Sequence, residues 1–473
     1  MNPAPAPVIV ASVTVRTIWG TMSQQGTLDV ERVRRHFDFV DRGRIVTNNA
    51  ASTQPPRELV QLYQALVPGY ENVHRGQSTA SQTMTELFEG SYDTIASFVN
   101  APGRRNIVIC RNTTEALNTV MYSLLTDVRD GDNVVATLME HNSNYVPWYA
   151  MCREILPKFG VRAECRLARF DPATGALDLD HLASLVDRRT KLVCCTGASN
   201  FFGTKPALRV VKAIADGSGY RQPNGEHRSL IVVDGAQLVP GSHVDVQELD
   251  VDYLAFSFHK MLAPFGVGVL YGKEHLLQNG APFLYGGDMI AAGRVAPDHV
   301  GYNNLPWKYA AGTPNIMGTI VSAQALRLLL DLVLNQSEPY FGTGRTIEPA
   351  VVQAAFALVS DHTRALTACA MNALRSIDGL TIYGPVDAGD RTSLVAFNAF
   401  GWNPMRLADR LNEAGVESRA GCHCATLAHR QLRLDPMASC RLSFYLYNTL
   451  DDVEYATGTV RSIVAGRATT VVG

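Results

Sequence analysis

The chain has 473 residues, of which 46% are apolar and 18% are charged, so it can bury a sizeable core and does not have the composition of a largely disordered protein. Its 42 Lys and Arg nearly cancel its 44 Asp and Glu, and the net charge of −2 argues against a nucleic-acid-binding protein. Nine sparse cysteines do not suggest a disulfide framework, and no stretch has the ~18 uncharged apolar residues of a membrane span, so we expect a protein of the reducing cytoplasm.

Residues 1–43 read as an N-terminal extension without regular pattern, and residues 44–305 alternate short apolar strands with helices. The predicted strands lie at Ile107–Cys110, Asn133–Thr137, Leu192–Thr196, Leu230–Val233, Tyr253–Ser257 and Gly266–Tyr271. This alternation predicts a large α/β domain with a mainly parallel sheet between helices, whose start contributes to a smaller domain. Polar residues follow most of these strands, and in such sheets ligands bind beyond the strands' carboxyl ends.

Residues 306–473 predict a smaller C-terminal α+β domain, because long helical patterns are followed by a few short strands. Its first helix, Thr319–Leu334, is strongly apolar. Residues 335–349 are polar and interrupted by Gly and Pro, which indicates an inserted loop.

Asp234 and Lys260 each follow a buried apolar strand, and together they carry the strongest chemical signal. Asp234 alone could simply cap the next turn, and Lys260 alone could be a surface lysine over a strand end. As a pair they resemble what a pyridoxal 5′-phosphate (PLP) enzyme needs. The lysine forms a Schiff base with the cofactor's aldehyde, and the carboxylate keeps the ring nitrogen protonated.

Three further positions each allow a functional interpretation beside that pair and an ordinary structural one. Thr113 and Thr114 stand where a helix should begin after a strand, a position that suits phosphate but also an ordinary cap. His141 follows another strand and could stack on a planar ring, or be a plain loop histidine. Arg441 lies in a strand-like segment, where its planar fork would match an amino-acid carboxylate or an ordinary ion pair.

Cys422, His423 and Cys424 form a compact segment near the C-terminus, shortly after Arg419. A zinc site would need a second cysteine pair at suitable spacing, which the sequence lacks, so no metal is predicted. The positive surroundings would instead favour a thiolate able to attack a substrate sulfur, unless the cysteine has no role.

Taken together, these segments resemble the class-V aminotransferase family of fold-type-I PLP enzymes, and within it the group-II cysteine desulfurases and selenocysteine lyases. The resemblance spans residues 43–455 and rests on an ordered series of motifs. They are Thr47–Thr53, His74–Gly76, Asn112–Glu115, Glu140–His141, Tyr145–Trp148, Ala198–Asn200, Val233–Gln237, Ser257–Lys260, Ala311–Asn315, the Cys424 loop and Tyr447–Thr449.

The resemblance implies roles for individual residues of this chain. Lys260 would hold PLP, Asp234 would pair with its ring nitrogen, Gln237 would contact its ring hydroxyl and His141 would stack on it. The phosphate would be bound by Thr113, Thr114, Ser257 and His259, and by Thr313 of a neighbouring subunit, which implies a homodimer. Asn200 and Arg441 would bind the substrate, and Cys424 would take up sulfur as a persulfide for a possible sulfur-acceptor protein.

Several positions depart from the family's usual pattern. Asn142 replaces a His that commonly follows the stacking histidine, Cys422 replaces a His before the His–Cys pair, and Asp288 stands where a small residue is usual. These changes leave alternatives open: a C–S or C–Se lyase, an epimerase or another PLP enzyme without sulfur transfer, or a non-enzymatic sulfur carrier on the same fold.

Overall fold

The computed structural model describes residues 26–466, and its largest feature is a seven-stranded sheet. In chain order, the strands are β1 Ile45–Val46, β2 Ile107–Cys110, β3 Asn133–Thr137, β4 Glu164–Ala168, β5 Thr190–Thr196, β6 Leu230–Asp234, β7 Tyr253–Ser257, β8 Gly268–Gly272, β9 Ile290–Ala296, β10 His299–Tyr302, β11 Leu380–Tyr383, β12 Leu394–Ala399, β13 Val416–Glu417, β14 Arg419–Gly421 and β15 Ser439–Ser443.

The large sheet has the strand order β2-β8-β7-β6-β5-β3-β4, and β8 is the strand that runs against its neighbours. Strands β3, β5, β6 and β7 are buried along their whole length, which explains their nearly continuous apolar sequence. Strand β8 is antiparallel because only a short connection separates it from β7, whereas a parallel return needs a longer crossover. The predicted α/β fold with a mainly parallel sheet is therefore confirmed.

Helices cover both faces of this sheet. In chain order, the α-helices are α1 Val30–Arg34, α2 Arg57–Leu66, α3 Thr79–Phe98, α4 Thr113–Leu124, α5 Val146–Ala150, α6 Leu179–Leu185, α7 Leu208–Asp216, α8 Val246–Leu249, α9 Glu274–Asn279, α10 Ile316–Leu334, α11 Pro349–Arg375, α12 Pro404–Glu413, α13 Thr426–Gln431 and α14 Leu450–Gly466. Neighbouring strand residues point to opposite faces, so that Val134 belongs to one apolar cluster and Val135 to the other.

A second sheet of four antiparallel strands, in the order β11-β12-β15-β14, forms with α11, α12 and α14 a separate apolar cluster. Strand β1 pairs with β13, which ties the start of the chain to this C-terminal part. Helix α10 and the first part of α11, up to Val359, pack instead in the core of the large sheet. The division of the chain at residue 305 stays a prediction.

Two segments with irregular sequence contribute to the large core. Within the N-terminal extension, Val33 and Phe37 are buried, while residues 1–25 lie outside the described part of the chain. Residues 335–348 contain no helix or strand, but Tyr340 and Ile347 are buried. Helix α10 begins before its predicted start. It is long and apolar enough to span a membrane, but 83% of its apolar 18-residue stretch is buried inside the protein. That burial is typical of a core helix.

Candidate active site

A cavity of about 270 Å³ opens at the edge of the large sheet, beside the second sheet. It lies at the carboxyl ends of β2, β3, β5, β6 and β7, the position where ligands bind in open α/β sheets. Its lining residues are Ala50, Ala51, Asn112, Thr113, Thr114, His141, Ser143, Thr196, Ala198, Asn200, Asp234, Ala236, Gln237, Ser257, His259, Lys260, Arg419, His423 and Arg441.

Asp234 and Lys260 both line this cavity, from the ends of the adjacent strands β6 and β7. Asp234 is buried and accepts a hydrogen bond from the Ala236 backbone N–H at 2.9 Å; burial raises the pKa of its carboxyl group. Burial lowers the pKa of the Lys260 amine to about 8, although Asp234 opposes this change. Lys260 makes no hydrogen bond or ion pair within residues 26–466, so a substantial neutral fraction of a free amine faces the cavity near neutral pH.

The start of helix α4 forms one end of the cavity. The Asn112 side chain caps the helix by accepting from the Glu115 N–H at 3.0 Å, and the Thr113 N–H donates to the Ser257 hydroxyl at 2.7 Å. Gly268 on β8 lies against this turn, since a Cβ atom there would stand 2.6 Å from the Asn112 backbone. The helix N-terminus and the nearby hydroxyl groups form a suitable environment for a phosphate.

His141 is held in one orientation beside Lys260. Its Nδ1 accepts from the Ser143 backbone N–H at 3.1 Å and lies 2.6 Å from the Ser143 hydroxyl. Burial lowers the pKa of His141 to about 4, and the positive charges of Lys260, Arg419 and Arg441 add to the effect. The imidazole is therefore neutral at physiological pH. A fixed, uncharged ring at a cavity wall is suited to stacking on an aromatic ligand.

Arg441 brings a buried positive charge to the cavity wall. Its Nη1 donates to the Asn200 carbonyl at 2.6 Å, but its Nε and Nη2 have no partner among the described residues. The Asn200 side chain donates to the His423 carbonyl at 2.6 Å and leaves its own oxygen without a partner. Burial lowers the pKa of Arg441 to about 9, helped by Arg419. Unpaired buried donors on a guanidinium indicate a site for an anionic group such as a carboxylate.

Cys424 and Thr313 do not line the cavity. Cys424 is half-buried in the turn that follows β14, and the adjacent residue His423 does line the cavity. A negative charge on Cys424 would raise the pKa values of both Lys260 and Arg441, so the thiol lies within electrostatic range of these two side chains. Thr313 is exposed. The structure thus brings ten of the twelve sequence-predicted residues to one cavity and leaves these two outside its wall.

PLP fits the residues that are present. Its aldehyde would meet the free amine of Lys260, its ring nitrogen the carboxylate of Asp234, and its phosphate the N-terminus of helix α4. The Gln237 side chain, which donates to the Ala50 carbonyl at 2.6 Å, lines the cavity between these groups. The close approach of Gly268 leaves no room for a side chain behind the phosphate turn.

Sequence reasoning missed some of the cavity's wall. Arg419 and His423 were predicted only as surroundings of a thiolate, although both face the cavity. Ala50 and Ala51 come from a segment far away in the chain, and Thr196 and Ser143 gave no chemical signal of their own. For Ala50 and Ala51, the available signal was their place in the matched motif Thr47–Thr53.

Comparisons with known proteins agree with this geometry. The family model for class-V aminotransferases matches residues 45–343 and 340–456. A probable cysteine desulfurase of Halobacterium salinarum is 36% identical over 442 residues, which cover 91% of this chain and 96% of that protein. A cysteine desulfurase of Haloferax volcanii is also 36% identical, over 90% of this chain and 95% of that protein. The structure of a cysteine desulfurase from Thermococcus onnurineus superposes with a TM-score of 0.80 at 27% identity, covering 95% of this chain and all of that one.

Proposed function

The chain belongs to the class-V aminotransferase family, and from this premise we infer that it is a PLP-dependent cysteine desulfurase, which removes sulfur from L-cysteine and leaves alanine. The observation that carries this function is the meeting, in one cavity, of the half-buried Lys260 amine, the buried Asp234 carboxylate and the buried Arg441, whose Nε and Nη2 have no partner within residues 26–466. When bound, PLP supplies an electron sink that stabilises negative charge at the substrate's α-carbon.

We assign the residues that hold the cofactor as follows. Lys260 binds the aldehyde, Asp234 the ring nitrogen and Gln237 the ring hydroxyl, while His141 packs against the ring. Thr113, Thr114, Ser257 and His259 surround the phosphate. The support is that all eight line the same cavity and that Thr113 and Ser257 hydrogen-bond each other at the helix start.

The substrate's carboxylate is held by Arg441, whose Nε and Nη2 supply two parallel donors, with Asn200 alongside. This fixes the α-carbon of L-cysteine against Lys260, whose free amine takes the α-proton and later returns a proton to the product. Because the pKa of Lys260 is lowered to about 8, both its neutral and its protonated forms are available near neutral pH.

Cys424 accepts the sulfur in this proposal. Its thiolate attacks the sulfur of the bound cysteine, so that an S–S bond forms while the Cβ–S bond breaks, and the electron pair stays on the three-carbon fragment. The fragment is protonated and leaves as alanine, and Cys424 carries a persulfide. Cys424 does not line the cavity but the adjacent residue His423 does, and in this proposal the turn moves to bring the thiol to the substrate.

A sulfur-acceptor protein and a homodimer complete the proposal. The persulfide on a half-buried cysteine at the protein surface is open to a partner. Thr313 is exposed and lies outside its own chain's cavity, as expected of a residue that serves the phosphate of a second subunit.

The decisive experiment follows the fate of the carbon skeleton. The holoenzyme is incubated with L-cysteine, and alanine, pyruvate and total sulfide after reduction are measured together. We expect alanine and sulfide in equal amounts, and no alanine from Lys260→Ala or Cys424→Ser, both of which should keep the fold. Pyruvate in place of alanine, or full turnover by Cys424→Ser, would show a lyase that needs no sulfur transfer to this thiol.

A further inference from the structure

Cys422 and Cys424 are the first and third residues of one tight turn, residues 422–425. The Ala425 N–H donates to the Cys422 carbonyl at 2.8 Å, and the two central residues, His423 and Cys424, have positive φ values of 51° and 56°. This is the geometry of a type I′ turn, which non-glycine residues adopt at a cost of ~1–3 kcal/mol each. Such a turn brings the Cα atoms of its first and third residues within the ~4.4–6.8 Å that a disulfide spans.

The thiol of Cys422 also has a hydrogen-bond donor aimed at it. The Thr426 hydroxyl donates to the Cys422 Sγ at 3.8 Å, and the Asn142 side chain donates to the Thr426 Oγ1 at 3.4 Å. The Asn142 backbone N–H in turn donates to the Cys424 carbonyl at 2.7 Å. Two of the positions at which this chain departs from the family pattern, Asn142 and Cys422, are thus linked through Thr426. The Thr426 side chain therefore holds the thiol of Cys422, two residues before Cys424 in the chain.

The remaining cysteines do not share this environment. Burial raises the pKa of every other thiol, and it does so to about 12 for Cys152, Cys165 and Cys440. None of those seven lies in the turn 422–425. Cys422 and Cys424 are both half-buried, so that their thiols remain accessible to each other and to small molecules.

We propose that Cys422 is a second catalytic thiol, which releases the sulfur held by Cys424 as free sulfide; this inference rests on the proposed function. The Cys422 thiol gives its proton to solvent, and its thiolate attacks the Sγ of the Cys424 persulfide. The Cys422–Cys424 bond forms, the bond to the terminal sulfur breaks, and that sulfur leaves as HS⁻. The two cysteines are oxidised to a disulfide and the terminal sulfur is reduced to sulfide, so no outside oxidant is needed.

The disulfide must be reduced before the next turnover. A low-molecular-weight thiol does this by thiol–disulfide exchange, and two such thiols leave as their own disulfide. The substrate L-cysteine belongs to this chemical class. The device would let the enzyme deliver sulfide without an acceptor protein, with the attack made intramolecular and therefore fast at low thiol concentration.

The test is a single turnover of the holoenzyme with one equivalent of L-cysteine and no other thiol. Alanine and sulfide are measured, and the alkylated protein is digested without reduction for mass spectrometry of the peptide that contains residues 422–424. We expect the wild type to form alanine, release sulfide and hold an unalkylated Cys422–Cys424 disulfide. Cys422→Ser should form alanine but keep the persulfide on Cys424 and lose thiol-independent sulfide release.

Two variants serve as controls. Cys422→His, which restores the family's usual residue, should behave like Cys422→Ser and guards against a folding defect of the latter. Cys369→Ser removes a half-buried thiol outside the turn and should behave like the wild type. Thr426→Val should slow sulfide release while alanine formation stays unchanged, because the Cys422 Sγ loses the hydroxyl group that contacts it.

The outcomes separate the two proposals. If the wild type keeps its persulfide as fully as Cys422→Ser, or carries the extra sulfur on Cys422, the release step is wrong while alanine formation still supports the desulfurase. If no alanine forms in the wild type, the proposed function itself fails.

Discussion

Arg441→Lys tests how the substrate is held. The guanidinium of Arg441 is buried, and its Nε and Nη2 lack partners in the described part of the chain. Lysine keeps the positive charge but loses the planar pair of donors. A hydrogen bond to a charged group contributes ~1.5–3 kcal/mol, so the loss of one such bond lowers kcat/KM for L-cysteine by roughly 10- to 150-fold. Most of the change should appear in KM, since the carboxylate is bound throughout the reaction.

The assay is steady-state alanine formation, with cysteamine as a competitive inhibitor that lacks the carboxylate. Its inhibition constant should change little in Arg441→Lys, because it offers nothing for the missing donors to bind. Arg327→Lys is the matched control: Arg327 is also buried, but it bonds Thr94 and the Arg345 carbonyl away from the cavity, so its replacement should affect stability and leave KM unchanged. An unchanged KM in Arg441→Lys, or an equal loss of cysteamine binding, would refute the assignment of Arg441 to the carboxylate.

Three other perturbations have defined outcomes. Asp234→Asn should lower kcat by ~10- to 100-fold, because the ring nitrogen loses the charged partner that keeps it protonated, and normal kinetics would remove Asp234 from that role. Gly268→Ala should weaken PLP retention, measured by dialysis, and lower the free energy of unfolding by ~1–3 kcal/mol, measured by thermal unfolding, because its Cβ would meet the Asn112 backbone at 2.6 Å. Gly90→Ala is the control: a Cβ there meets open space, so neither PLP retention nor stability should fall. The rate at which cofactor-free protein captures PLP, followed by stopped-flow spectra, should rise with pH up to about 8 and then level off. The reason is that the neutral amine of Lys260 is its reactive form and its pKa is lowered to about 8. A rate that keeps rising toward pH 10 would contradict that value.

Much of the large sheet could be predicted from the sequence because most of its strands are buried on both faces. Strands β2, β3 and β7 were predicted at their observed bounds, since a short apolar run between polar residues is a strong local signal. The burial of Tyr340 and Ile347 within residues 335–348 could not be predicted. A loop with Tyr340 and Ile347 among many polar residues carries no period, and only tertiary packing decides that these two side chains enter the core.

The candidate site was predictable where an ionisable side chain directly follows an apolar strand, as at Asp234 and Lys260. It was less predictable where backbone groups and unpartnered atoms matter. Two features depend on contacts between distant parts of the chain, which local sequence patterns do not report. They are the Nε and Nη2 of Arg441, which have no partner within the described residues 26–466, and the turn at residues 422–425. The motif order of the family, and not spacing alone, indicated that Asn200 and Arg441 act together.

The most direct test of the central claim asks which lysine holds the cofactor. The holoenzyme is reduced with borohydride, which fixes the cofactor to the amine that bears it, and the digested protein is mapped by mass spectrometry. We expect the modification on Lys260 alone, and no covalently fixed cofactor after the same treatment of Lys260→Ala. Cofactor fixed to a different lysine, in the wild type or in that variant, would contradict the account.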